Sequence, residues 1–121
     1  MTIIGRPLAG RRVLVVEDDF NIAELMATAL DAYGIETVGP AATAKDALAL
    51  IGGSGRIDGA ILDVNLRGEL VYPVAEALRV KGVPIVFTTG YDERSLAPGF
   101  ADVPCLQKPV TVESLVQALF G

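Results

Sequence analysis

The residues that could do chemistry fall in short groups, each directly after a hydrophobic run. Glu17, Asp18 and Asp19 follow "RRVLVV", and Asp63 follows "GAIL". Thr88 and Thr89 follow "PIVF" and lead into Gly90 and Tyr91, while Lys108 and Pro109 follow "CLQ". Brought to one place, the carboxylates repel one another, which costs stability unless a cation lies among them. Hard oxygen ligands at low count, with room for waters and a phosphate oxygen, suit Mg2+. A carboxylate can also attack phosphorus and become an aspartyl phosphate. Phosphoryl transfer needs positive charge around the equatorial oxygens, and a metal plus Lys108 would supply it. The Thr89 hydroxyl could hydrogen-bond a phosphoryl oxygen. Gly90 offers a backbone N–H with no side chain in the way. Histidine is absent, which removes His-based catalysis and counts against a transition-metal site.

These groups meet only if the fold gathers the ends of those runs. "RRVLVVE" is a continuous apolar run of the kind found in strands buried on both faces. Ile22, Leu25, Met26, Ala29, Leu30 and Tyr33 then recur at helical spacing, with Gly34 as a stop. "ETVGPA" reads as a second strand. "TAKDALALIGG" reads as a helix with a capping-box-like start at Thr43 and Asp46, and Gly52 as its stop. "IDGAILDV" is a third strand interrupted by Gly59, and "NLRGEL" a polar loop. "YPVAEALRVKG" is a helix with Pro73 in its first turn and Gly82 as terminator. "VPIVFTT" is a fourth strand, and "PCLQ" a short fifth. Between them, "GYDERSLAPGFADVP" is at best a helical start broken by Pro98 and Gly99. "TVESLVQALF" closes the chain as a helix with Val112, Leu115, Val116 and Leu119 on one face. Strands alternating with helices predict a doubly wound α/β fold, a five-stranded parallel sheet covered on both sides. In such sheets ligands bind at the carboxyl ends of the strands. That edge is where the acids, hydroxyls and lysine fall.

Composition narrows the function classes. A chain of 121 residues without a compositional break predicts one domain, and 51% hydrophobic residues suffice for one core. A net charge of −5 argues against generic nucleic-acid or anionic-membrane binding. The single cysteine, Cys105, excludes an internal disulfide and suits a reducing cytoplasm. No apolar run approaches the ~20 residues of a membrane span. "MTIIGRPLAGRR" lacks the apolar core of a secretory signal. Residues 1–10 read as a short, loosely held extension, and residues 11–121 as the domain.

On "VLVVEDD", "ILDVNL", "PIVFTTG" and "QKP", in that order and at the expected strand ends, the chain resembles the receiver domain of bacterial two-component response regulators. The resemblance covers about Arg12 to Phe120. It implies a flavodoxin-like strand order, 2-1-3-4-5. It implies Asp63 as phosphoacceptor, Asp18 as a direct Mg2+ ligand, Glu17 acting through water, and Asn65 as the residue whose backbone carbonyl binds the metal. Thr89, directly before the small Gly90, resembles the switch hydroxyl. Lys108, followed by Pro109, resembles the phosphate-binding lysine. The donor implied is a phosphohistidine of a sensor histidine kinase or histidine phosphotransfer protein in the cytoplasm. With no output domain after the last helix, output is expected through contact with a downstream protein, not with nucleic acid or membrane.

Two departures sharpen the resemblance. Most receivers carry a rotating Tyr or Phe three residues before the lysine of the fifth strand, and Cys105 stands there. "FTTGY" is similar to the Phe-Ala-Thr-Gly-Tyr-like motif of an alphaproteobacterial subgroup, with Thr88 in place of alanine. That subgroup has a short or mobile fourth helix, so Tyr91, or ordering of residues 91–100, becomes the candidate signal relay. Tyr91 and Asn65, each two residues beyond a site residue, would also flank the acyl phosphate and tune its hydrolysis. Simpler roles suit other residues: Asp19 as a helix cap, Thr88 as packing, Cys105 as a small buried hydrophobe, and "GGSGR" as a surface loop. A haloacid-dehalogenase-like phosphohydrolase would need an acid where Asn65 stands. A phosphorylation-independent adaptor would not need the full set of acids, hydroxyl and lysine.

Overall fold

The computed structural model describes residues 8–90 and 96–121. In chain order it contains β1 (Arg12–Val16), α1 (Phe20–Asp31), β2 (Glu36–Ala41), α2 (Ala44–Gly53), β3 (Gly59–Asp63), β4 (Asn65–Leu66), β5 (Glu69–Leu70), α3 (Tyr72–Val80), β6 (Ile85–Thr89), β7 (Cys105–Gln107) and α4 (Val112–Phe120). The apolar runs form the middle of the sheet. Strands β3 and β6 are buried throughout, and β1 in all but Arg12, as helices on both sides of a parallel sheet require. The five long strands pair in parallel in the order β2-β1-β3-β6-β7. Counting sheet strands alone, this is the expected 2-1-3-4-5 order.

Side-chain alternation along the strands divides the core into two layers. Val13, Val15, Ile61 and Val86 pack with Met26 and Leu30 of α1 and with Leu115, Val116 and Leu119 of α4. Leu14, Val16, Leu62 and Phe87 face the other way, toward Ala47 and Ile51 of α2 and Val74 and Leu78 of α3. Helices α1 and α2 start where side-chain caps place them. Asp19 Oδ1 accepts from Ile22 N at 3.1 Å, and Thr43 Oγ1 from Asp46 N at 3.1 Å. Gly59 opens β3 because α4 lies against it: a Cβ there would come within 3.1 Å of Phe120 Cζ and 3.3 Å of Leu119 Cδ1.

Four readings change. "NLRGEL" is not an unstructured loop. Strands β4 and β5 pair as an antiparallel hairpin, Asn65 opposite Leu70 and Leu66 opposite Glu69. Its two-residue turn has φ +56° at Arg67 and +93° at Gly68, the sign pattern of a type I′ turn. The chain before β1 is not loosely held from residue 8 onward. Leu8 is buried in the α1/α4 layer, and Gly10 N donates to Gly34 O at 2.8 Å. Cys105 is exposed rather than buried, because β7 is the sheet's edge strand and its residues are at most half-buried. Helix α2 runs through Gly52 to Gly53. Of the broken segment, residues 96–103 form turns without a helix, and Phe100 packs on Tyr72 and Phe87 with ring centroids 5.1 and 5.9 Å away. The expectation for Tyr91 and residues 92–95 lies outside the described residues.

Candidate functional site

The carboxyl ends of β1, β3, β6 and β7 bring the acids and the lysine together across 91 positions of sequence. Glu17 directly follows β1 and is almost fully buried, while Asp18 is half-buried and Asp19 exposed. Asp63 is the last residue of β3 and is 5% exposed. Carboxylate oxygens of Glu17, Asp18 and Asp63 all lie within 4.8 Å of one another. Asp19 stands apart from that group: it caps α1, and its N–H donates to Glu17 Oε2 at 3.1 Å.

Lys108 follows β7, and its backbone N donates to Thr89 O at 2.8 Å, which ties it to the neighbouring strand. Its peptide bond to Pro109 is cis. The ammonium reaches back across the edge and donates to Asp63 Oδ2 at 2.8 Å and Glu17 Oε2 at 3.2 Å. It also lies 2.9 Å from Glu17 Oε1, but not in line for a hydrogen bond, so that buried oxygen has no donor among the described residues. Burial is the largest influence on both acids and raises their pKa values, more than Lys108 lowers them. Burial opposes the Lys108 charge as well, but hydrogen bonds and attraction to Asp63 and Glu17 outweigh it and raise the lysine pKa. One lysine therefore serves two buried carboxylates, and a third carboxylate lies close by. A group of hard oxygen ligands short of positive charge, one atom of it undonated, fits a divalent cation such as Mg2+.

The remaining residues frame this centre. Asn65 N donates to Asp63 Oδ1 at 3.2 Å, and the Asn65 side chain accepts from Gly68 N at 2.6 Å, closing the hairpin. Thr89 is buried, and its hydroxyl donates to Gly90 O at 3.0 Å. Thr88 is buried too, on the Val86 side of the strand, and its hydroxyl has no partner among the described residues. Among the described residues no packing demands glycine at position 90, where a Cβ would meet nothing within 4 Å. Beside Lys108, Gly90 and Pro109, an open apolar groove runs between α1 and α4, lined by Leu25, Met26 and Val112 among others. Leu25, one of the residues at helical spacing, is 71% exposed on this groove. Arg67, left in a polar loop by the sequence reading, places its Nε 3.3 Å from Asp18 Oδ2. Only the hairpin brings it there, so neither spacing nor composition points to it.

Comparison with known proteins agrees with this geometry. Residues 13–120 match the family described as "Response regulator receiver domain". The solution structure of SdrG from Sphingomonas melonis Fr1 is 44% identical, over 90% of this chain and 92% of that one, with a TM-score of 0.79. The BeF3-activated conformation of SdrG from Pseudomonas melonis Fr1 is 40% identical over 98% and 96% of the two chains, with a TM-score of 0.73. The receiver domain of the hybrid histidine kinase CckA is 28% identical over 88% and 93%, with a TM-score of 0.71. No curated protein matches the sequence. Because the family match runs unbroken from β1 through the acids of the strand ends to Lys108 and α4, this chain belongs to the response regulator receiver domain family.

Proposed function

We propose that the chain is a phosphorelay receiver that takes a phosphoryl group from a phosphohistidine onto Asp63 with the help of Mg2+. The observation that carries this reading is Asp63 itself: a buried strand-end carboxylate 2.8 Å from Lys108 and within 4.8 Å of two further acids. In the transfer an Asp63 oxygen forms a bond to phosphorus as the P–N bond to the donor imidazole breaks, and the bonding pair leaves with that nitrogen. Mg2+ held by Asp18, Asp63 and the Asn65 carbonyl, with Glu17 acting through water, would neutralise charge on the phosphoryl oxygens. Lys108, 2.8 Å from Asp63 Oδ2, would supply a second positive charge. The Asn65 N–H keeps the Asp63 carboxylate oriented. The Gly90 N–H, with no side chain on its own residue, would donate to a phosphoryl oxygen, and the Thr89 hydroxyl, now on Gly90 O, is the group a phosphoryl oxygen would draw away.

Receivers of this family are regulatory phosphoacceptors, and this chain would promote its own phosphorylation and dephosphorylation rather than turn over a substrate. The donor would be a sensor histidine kinase or histidine phosphotransfer protein in the cytoplasm, docked in the apolar groove beside Lys108. Among the described residues no helix is long and apolar enough to cross a membrane. We assign the receiver proper to residues 11–121. We also place the chain in the subgroup with the Phe-Ala-Thr-Gly-Tyr-like motif, on Phe87, Thr88, Thr89, Gly90 and Tyr91. Cys105 has no ring to rotate, which favours Tyr91, together with Pro109, as the relay.

Incubation with Mg2+ and an acyl phosphate, followed by intact mass, tests the main reading. A gain of one phosphate that Asp63→Ala abolishes is the expected result. No gain, from the acyl phosphate or from any candidate kinase, would overturn it. Tyr91→Ala is expected to keep phosphorylation and to lose the conformational response. A variant that keeps both removes Tyr91 from the relay.

A further inference from the structure

We infer that Arg67 is a tethered counter-cation for Asp18, one that an incoming divalent ion must displace. The inference rests on the metal site proposed above. Two cationic side chains reach the three clustered acids among the described residues. Lys108 holds Glu17 and Asp63, and Arg67 holds Asp18 through Nε at 3.3 Å. Each acid thus has a protein cation, and the two cations are placed very differently. Lys108 is mostly buried and bound to two acids, whereas Arg67 is 78% exposed and bound to one. Asp18 is therefore the carboxylate most readily given up to a metal.

The backbone at Arg67 adds a second observation. Its φ of +56° is the left-handed value that β-hairpin turns of this kind normally give to Asn, Asp or Gly. Among the described residues Arg67 is the one non-glycine with positive φ. A long, branched cation at such a position is disfavoured by local sterics alone. Its contact with Asp18 gives the side chain a reason to be there. The turn is anchored on both sides: Asn65 accepts from Gly68 N at 2.6 Å, and Glu69 accepts from the N–H of Ala44, the first residue of α2, at 3.3 Å. The arginine consequently hangs over the acids from a fixed hairpin. A metal on Asp18 would leave the guanidinium repelled by like charge and without its carboxylate.

Calorimetric titration of the full chain with MgCl2 alone, at low salt, tests this. Asp18→Asn is expected to lose most of the binding. Arg67→Gln is expected to bind Mg2+ about 1.5- to 5-fold tighter, the range set by releasing one largely exposed ion pair. Arg67→Lys keeps a cation and should fall back toward the parent affinity. Lys81→Gln, which removes an exposed charge elsewhere, should leave the affinity near that of the parent. The Arg67 gain should shrink in high salt. By NMR, the Arg67 Nε–Hε signal should shift on Mg2+ addition, and in Asp18→Asn it should sit near the shifted position without metal. Binding that needs Asp18 but is equal or weaker in Arg67→Gln overturns the Arg67 inference and leaves the metal site standing. An equal gain in Lys81→Gln overturns it too, since net charge alone would then explain the effect. Binding indifferent to Asp18→Asn overturns the metal-site reading, and this inference with it.

Discussion

Strands β1 and β3 have one carboxylate with its donors at the amino end and three clustered carboxylates at the carboxyl end, and the two ends handle charge in opposite ways. At the amino end, Asp58 Oδ2 accepts from Arg12 N at 2.8 Å, and Arg56 Nε donates to its two oxygens at 3.0 and 3.2 Å. Burial pushes the Asp58 pKa up, but these donors outweigh it and hold it below the usual value. Arg56 also reaches Gly10 O at 2.9 Å, so the cluster ties the start of the sheet to the chain before it. At the carboxyl end, Glu17 and Asp63 share one lysine, and both pKa values are pushed up. The amino end uses ionised groups to stabilise the fold. The carboxyl end keeps acids together against the cost of burial and, to a lesser degree, their own repulsion, which is what a site built for a charged ligand requires.

Substitutions should separate the two ends. The largest effect is expected from Lys108→Met, which leaves Glu17 and Asp63 without a counter-charge. Removing one partner from a buried ionic group costs about 3 kcal/mol or more. Chemical denaturation in the presence of a chelator measures it, and the loss should shrink as pH falls and the two acids take up protons. Asp58→Asn comes next, at about 1–2 kcal/mol for weakened charge-assisted hydrogen bonds. Asp63→Asn should do the reverse and raise the melting temperature, because ionising Asp63 opposes folding. A gain from Asp58→Asn, or a loss from Asp63→Asn, would break the contrast.

The same contrast has a pH signature. Asp58 has a lowered folded pKa, so its stabilisation is present above the unfolded value of about 3.9 and fades as pH falls through the folded one. Asp63 and Glu17 have raised folded values, so their cost is absent below about 4 and grows as pH rises through the folded ones. Asp58→Asn should therefore differ from the parent mainly at neutral pH, as a loss. Asp63→Asn should differ there as a gain, and both differences should close toward pH 3. Added Mg2+ should raise the melting temperature of the parent at neutral pH and do so much less in Asp63→Asn. A parallel response of both variants across pH would remove the distinction.

The strand ends were legible because long apolar runs and cap residues announce them. Asp63 and Lys108 fall at the ends of β3 and β7 in any reading that finds those strands. What stayed hidden depends on tertiary placement. Strands β4 and β5 have two residues each, too few for periodicity. A single leucine at position 8 carries no pattern, yet it is buried under α1 and α4. Cys105 was misread because a strand's faces are covered only if the sheet continues past it. The Arg67–Asp18 contact joins residues 49 apart through a hairpin whose turn backbone is unfavourable for arginine. Local sequence rules point away from it.

The smallest predicted effect concerns the adjacent threonines, where the same side chain meets two environments. Thr88 is 1% exposed, shares the face of Val86, and has a buried hydroxyl without a partner. Thr89 faces as Phe87 does, and its hydroxyl donates to the carbonyl of the next residue. Valine keeps the shape of threonine and removes the hydroxyl. An unpartnered buried hydroxyl opposes folding, so Thr88→Val should stabilise by about 1 kcal/mol. Thr89→Val should change stability little, and should lose the conformational response while Asp63 still takes up phosphate. Register places Thr88 directly across from Asp63. A loss of stability in Thr88→Val would therefore mean that its hydroxyl serves the Asp63 carboxylate through a bound water. The carboxyl-edge site would then extend one residue deeper into β6 than Thr89.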